Sequence, residues 1–153
     1  MTEPEHTGGC MCGAVRFRTT HAPSRTIHCH CADCRKHSGA PMATLSVFLS
    51  DQVLFDGTPR KIYTSSDIAR RGFCQDCGTT LTFETDLRSF GPVVAIHVSA
   101  FDDPEALPPT HHSFYSEKLS WFEVLDDLPR HERLVVDGGF LGNGPSSGTP
   151  KAD

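Results

Sequence analysis

From Gly13 onward, apolar and polar residues alternate in short runs, the two-residue period of strands that bury one face. Ala14-Val15-Arg16-Phe17-Arg18 shows the alternation most clearly. Residues 43–49, 53–55, 61–64, 80–85 and 93–98 are similarly short and rich in β-branched or aromatic side chains. Turn signals separate these runs at Asp56-Gly57-Thr58-Pro59, Ser65-Ser66-Asp67 and Ser89-Phe90-Gly91-Pro92. Helix is expected only as a turn or two over residues 32–37 and at residues 104–106. The pattern predicts a mainly β body of short antiparallel strands with one or two short helices, in which Phe17, Phe48, Phe55, Phe73 and Phe83 form strand core. The three prolines between Asp102 and Pro109 mark a connecting loop. From Gly138 the chain is rich in Gly, Pro and Ser without apolar period, which predicts a disordered tail over 137–153. The remaining division is an arm over 1–5 and one domain over 6–136, and no solenoid repeat is visible.

Composition narrows the classes. The 153 residues, 37% hydrophobic and 22% charged, fit one globular domain and exclude a collagen, a coiled coil or a wholly disordered chain. A net charge of −5 argues against a nucleic-acid or membrane-surface binder, which needs a clustered basic face. The first residues lack the cationic and apolar regions of a secretory leader. The run Val93-Val94-Ala95-Ile96 ends at His97, far short of the roughly 18 residues of a membrane span. A soluble, cytoplasmic protein is expected.

Cysteine changes the picture most. The seven cysteines stand at 10, 12, 29, 31, 34, 74 and 77, each with another two or three positions away. In a reducing compartment such clusters bind metal or do redox chemistry rather than form structural disulfides, and an odd number cannot pair completely. Structural zinc takes four tetrahedral ligands with sulfur at about 2.3 Å, which brings ligand sulfurs to about 3.8 Å from one another. Cys10 and Cys12, at i and i+2, point to one side of an extended chain. Cys74-Gln75-Asp76-Cys77-Gly78 curls two thiols toward one point, with Gly78 supplying a positive φ. The two pairs together make a closed four-sulfur site that would clamp the first β segment to the middle of the domain, so that metal binding becomes folding energy.

Cys29-His30-Cys31-Ala32-Asp33-Cys34 then offers three sulfurs. A metal on three protein ligands keeps one coordination position open, the arrangement of a reactive zinc. His28 and His30 alternate with Cys29 and Cys31 and face away from such a metal. His37 stands open as a fourth ligand reached on a helical turn, or as a neighbour of the site. Spacing also permits Cys29 and Cys31 to join Cys74 and Cys77. Soft sulfur ligands favour zinc over iron.

Three blocks carry a resemblance: Gly9-Cys10-Met11-Cys12-Gly13-Ala14-Val15-Arg16-Phe17, then Cys29-His30-Cys31-Ala32-Asp33-Cys34-Arg35-Lys36-His37-Ser38-Gly39-Ala40, then Arg71-Gly72-Phe73-Cys74-Gln75-Asp76-Cys77-Gly78-Thr79-Thr80-Leu81. A weaker fourth holds Ser116-Glu117-Lys118-Leu119-Ser120-Trp121-Phe122, with Asp127-Leu128-Pro129 after it. Together, over about residues 6–131, they resemble the glutathione-dependent formaldehyde-activating enzyme and centromere protein V family. The resemblance implies a zinc-binding β-tent fold, similar to that of methionine sulfoxide reductase B. It also implies two zinc ions per chain, one structural on Cys10, Cys12, Cys74 and Cys77 and one near an active site on Cys29, Cys31 and Cys34. The implied activity is that of a carbon–sulfur lyase: a small thiol such as glutathione, activated at the open position, adds reversibly to an aldehyde such as formaldehyde. The expected partners are thus a small thiol and an aldehyde, with no nucleic acid and no membrane. Arg35 and Lys36 are expected to meet the carboxylates of a peptide-like thiol, or to be solvated charges on a short helix. Arg70 and Arg71 are expected to offset a four-thiolate zinc. Trp121 and Phe122 are expected in core or lid packing. His111 and His112 remain open as acid or base, and a zinc-binding carrier or interaction module and a thiol redox protein are the competing classes.

Overall fold

A computed structural model describes residues 5–87, 91–136 and 139–140. Its strands are β1 (Thr7–Gly9), β2 (Val15–Thr19), β3 (Arg25–Cys29), β4 (Ala43–Leu49), β5 (Val53–Gly57), β6 (Lys61–Thr64), β7 (Arg70–Phe73), β8 (Thr80–Leu87), β9 (Gly91–His97), β10 (His111–Ser113), β11 (Val135–Val136) and β12 (Gly139–Phe140). The α-helix α1 (Ala32–Ser38) follows β3. A three-stranded sheet runs β1-β2-β5, a seven-stranded sheet runs β10-β3-β4-β9-β8-β7-β6, and β11 pairs with β12. The pairings are antiparallel except β10 with β3. The mainly β, antiparallel body expected from the alternation is what the chain adopts.

Register divides the large sheet into two faces. The pairings Cys29 with Ala43, Leu45 with His97, Ala95 with Phe83 and Phe83 with Arg71 place these side chains on one face. Phe48 opposite Val94, and Ser46 and Thr82 opposite Ile96, define the other. That second face builds the larger core, in which Phe48, Leu81, Val94 and Ile96 pack with Val15, Phe17, Val53 and Phe101. The small sheet supplies Val15, Phe17 and Val53, and Phe17 meets Phe101 edge-on at 5.0 Å. On the first face Ile27, Ala43, Leu45 and Ala95 cluster with Cys29, Cys31 and Cys34. One sheet therefore separates an apolar core from a face that carries sulfur, imidazole and guanidinium.

Strands β4 and β6 span the residues that alternation predicts, and α1 runs one residue past its expected end. Strands β1, β3, β7 and β10 carry no such signal. Arg25-Thr26-Ile27-His28-Cys29 lies inside the sheet, so polar residues face neighbours on both sides and no apolar alternation appears. Arg70-Arg71-Gly72-Phe73 is masked by two arginines, of which the second is buried. Residues 1–4 of the expected arm, 88–90 of the expected turn and most of the expected tail lie outside the described residues, although Gly139–Phe140 pair with Val135–Val136.

Gly8 of β1 bridges to Phe101, which follows β9, in an isolated antiparallel contact. A Cβ there would run into the Ala100 carbonyl oxygen and the Phe17 ring, with the Phe101 Cα at 2.8 Å. Gly8→Ala is therefore expected to lower the unfolding free energy by about 1–3 kcal/mol in urea titration; an unchanged midpoint would show that the small sheet is free to shift away.

Candidate metal centre

The four sulfurs of Cys10, Cys12, Cys74 and Cys77 lie within 4.8 Å of one another. Cys10 follows β1 and its chain doubles back, with Gly13 N–H donating to the Cys10 carbonyl at 3.1 Å. Cys74 follows β7 in a matching knuckle, where Gly78 N–H donates to the Cys74 carbonyl at 2.8 Å and Gly78 adopts φ 78°. Thr79 locks the two together, its Oγ1 accepting from Met11 N–H at 3.0 Å. Sulfur separations of 3.5 Å for Cys10–Cys12 and 3.8 Å for Cys12–Cys74 match the about 3.8 Å edge of a tetrahedral four-sulfur zinc site. The donor set, count and spacing all fit that metal.

The thiols already share charge unequally. Thr79, through its hydroxyl and its backbone, pulls Cys77 down to about 6. The Ala14 backbone works to lower Cys12, yet crowding against Cys10 and the other sulfurs pushes it to about 12. Four thiolates at this spacing cannot all ionise without a cation among them.

Cys29, Cys31 and Cys34 form a second, fully buried group, again within 4.8 Å, and no fourth donor joins it among the described residues. Cys29 ends β3, Cys31 is the N-cap of α1 and Cys34 lies in its first turn. The Cys31 sulfur accepts from Cys34 N–H at 3.3 Å and lies 3.4 Å from the Cys29 sulfur. The same local structure that starts the helix thus assembles the site. At the other end Gly39, at φ 67°, closes α1 by donating to the Arg35 carbonyl at 2.9 Å. Hydrogen bonds from Cys29 and Cys31, with Arg71 close by, hold Cys34 well below the usual thiol range, while the same contacts raise Cys29. Of the partitions that spacing allows, the structure adopts four plus three, with His37 outside the second group.

The other expected site residues fall as follows. Arg35 turns its fork inward, with Nε donating to the His30 carbonyl at 3.1 Å and Nη2 to the Glu117 carbonyl at 3.3 Å. It ties the 115–117 turn to α1, and Lys36 is exposed. Arg71, expected beside the four-sulfur site, instead sets Nη1 3.6 Å from the Cys34 sulfur of the other group. The reason is register: opposite Phe83, Arg71 points to the face that carries Cys29. Trp121, expected in core or lid packing, is 72% exposed.

His28 and His30 do face away from the three sulfurs. His30 Nε2 meets His112 Nδ1 at 2.7 Å, and His112 Nε2 meets Asp126 at 3.0 Å. Burial works to raise Asp126, but His112, the Leu128 N–H and Arg130 outweigh it and bring it to about 2. His28, His112 and Asp126 also lie close enough to hold a metal. Arg130 already supplies their cation, its Nη1 sitting 2.6 Å from Asp126. Asp126 and His97 carry no motif in the sequence; for His97 the only trace is that it ends an apolar run.

His97 lines a cleft of about 400 Å³, bounded by Ser38 at the end of α1, Met42 after it, and Gly78 and Thr79 of the knuckle. His37 lies beside it, the rings 5.8 Å apart. Among the described residues no helix is long and apolar enough to cross a membrane.

The family model described as "Glutathione-dependent formaldehyde-activating enzyme" matches residues 5–117. An uncharacterized lyase of Schizosaccharomyces pombe is 35% identical over 80 residues, which span 52% of this chain and 58% of that protein. A Rhodobacter sphaeroides protein of known crystal structure shares 17% identity over 82% of this chain and 99% of its own, with a TM-score of 0.49.

Burial, reinforced by His37 and Arg71, pushes the His97 imidazole down to about 3. A histidine whose folded pKa lies below its unfolded value of about 6.5 takes up its proton only on unfolding, so its contribution to stability is lost as pH falls below about 6.5. The loss approaches about 1.4 kcal/mol per pH unit for this one group. Urea unfolding of metal-loaded protein between about pH 7 and 5 should be less steeply pH-dependent in His97→Gln than in wild type by about that amount; equal slopes would exclude a buried neutral imidazole.

Proposed function

The chain belongs to the glutathione-dependent formaldehyde-activating enzyme family, and from that membership we propose that it is a carbon–sulfur lyase-type enzyme joining a small thiol reversibly to an aldehyde. The name of the S. pombe relative, a lyase, supports the broad class. The observation that carries the reading is the second sulfur group: three buried thiols, no fourth protein donor among the described residues, and a closed four-sulfur group elsewhere to hold the fold.

Cys10, Cys12, Cys74 and Cys77 would hold a structural zinc, and Cys29, Cys31 and Cys34 a second. A zinc on three thiolates lowers the pKa of a thiol at its remaining position, so that a thiolate is present at neutral pH. The chain's own part is to gather the three sulfurs, to bury them away from water and to offset their charge with Arg71. In the reaction the thiol sulfur forms a bond to the aldehyde carbon, the carbonyl π pair moves to oxygen, and the proton lost from sulfur is restored there. With formaldehyde and glutathione the product is the S-hydroxymethyl thioether. Seven reduced cysteines suit a reducing, cytoplasmic setting.

Purified protein is expected to carry two zinc ions and to accelerate adduct formation between glutathione and formaldehyde, followed by exchange NMR. In Cys31→Ser the hydroxyl keeps the N-cap of α1 but is a poor zinc ligand. It should retain one zinc and a near-native melting temperature while losing at least about 100-fold in rate. Two zinc ions with no acceleration for any thiol and aldehyde pair would instead favour a binding module, and metal released by mild oxidation and recovered on reduction would favour a redox protein.

A further inference from the structure

The face that carries the three sulfurs also carries polar atoms that have no partner among the described residues. Arg71 is 3% exposed. Its Nε donates to Ser65 Oγ at 3.3 Å, Nη1 lies 3.6 Å from Cys34 and the guanidinium sits 5.1 Å from the Phe83 ring centre. Its Nη2 is buried without a hydrogen-bond partner, as are both ring nitrogens of His37 and Nε2 of His97. Among the described residues no carboxylate is paired with Arg71. Buried polar groups in folded proteins are nearly always hydrogen-bonded, and four orphaned atoms on three neighbouring side chains mark a place where something else binds. The three are neighbours by register and helix phase: Arg71 and His97 share a sheet face, and α1 brings His37 against His97. Burial holds His37 down to about 4 and His97 to about 3, so both are neutral near pH 7 and each offers one N–H. The set is one fixed guanidinium and two imidazoles, a donor cluster with a single positive charge.

We propose that Arg71, His37 and His97 form a pocket for a small carboxylate, reached through the cleft that His97 lines, and that this carboxylate belongs to the thiol substrate. Arg71 spans the two groups: Nη1 lies 3.6 Å from the Cys34 sulfur, and the orphaned Nη2 is the atom left for the anion. A mercaptocarboxylate is the smallest thiol that carries both groups, and glutathione carries them on a longer chain. The pocket stands on the orphaned donors alone; the assignment of its carboxylate to a thiol rests on the reading in the preceding section.

Three probes separate the two parts. Acetate carries the carboxylate without sulfur, mercaptoacetate carries both, and 2-mercaptoethanol carries sulfur alone. With zinc-loaded protein, acetate is expected to shift the imidazole resonances of His37 and His97, and mercaptoacetate to bind at least about 10-fold more tightly than 2-mercaptoethanol by calorimetry. Arg71→Gln, checked to keep its zinc, should abolish the acetate shifts and the 10-fold preference, and Arg71→Lys should restore part of both. If Arg71→Gln loses zinc, His97→Gln serves with the same criterion. Acetate binding without any gain for mercaptoacetate over acetate would leave the pocket standing and remove the thiol. Absence of acetate shifts in wild type, or binding unchanged in the zinc-loaded variant, would overturn the pocket, since the anion would then sit nowhere or on the metal itself.

Discussion

Four sulfurs within 4.8 Å of one another, drawn from the loop after β1 and the turn after β7, repel one another as thiolates unless a cation lies between them. Most of the architecture follows from answering that repulsion. The first pair rises from the small sheet and the second from the large one, so a cation held by all four would also join the two sheets. The Met11 to Thr79 hydrogen bond and the contact of Gly8 with Phe101 lie around the same seam. The core between the sheets is modest, built on Phe17, Phe48 and Phe101. A metal clamp with sequence-distant ligands adds most where a small domain has least, by excluding open conformations of the loop it closes.

The three-cysteine group solves the same electrostatic problem differently. Its sulfurs lie in the interior, where an unbalanced negative charge is far more costly than at a surface. The chain gives them a backbone N–H at the start of α1 and a guanidinium on Cys34, but no fourth sulfur among the described residues. The first arrangement is saturated; the second has a position to spare. On the proposed reading, the division of seven thiols into four and three is a division between holding the fold and exposing a metal to chemistry.

Much of this was legible in the residues. The alternation in β2, β4 and β5 follows from one buried face, and the Cys spacings marked the local groups, because ligands two or three positions apart are brought together by local structure alone, while leaving open how those groups combine. What stayed hidden depends on register between distant strands. Arg71 reads as a charge beside the CxxC knuckle, and only its pairing with Phe83 turns it toward Cys34. His97 becomes a neighbour of His37 through the opposition of Leu45 and His97 in the centre of the sheet. The link from Asp126 through His112 to His30 joins three segments whose pairing no local signal specifies. Strands β3 and β7 were obscured for the related reason that an interior strand with polar side chains on a functional face loses the apolar alternation by which strands are recognised.

The charge of the loaded protein sharpens what such a functional face must do. Two zinc ions on seven thiolates would move the formal net charge from −5 to −8. A chain of this sign does not gather anions from a distance, but at physiological salt charges are screened beyond about 8 Å, so the bulk repulsion is weak where a ligand meets the protein. Inside the sheet face the balance reverses, since a buried guanidinium with an unpaired N–H acts through a medium of far lower polarity than water. Selectivity for an anionic group is therefore local, carried by the donors of Arg71, His37 and His97 rather than by the surface. It is compatible with an acidic protein because those donors are held where the surface charge scarcely reaches.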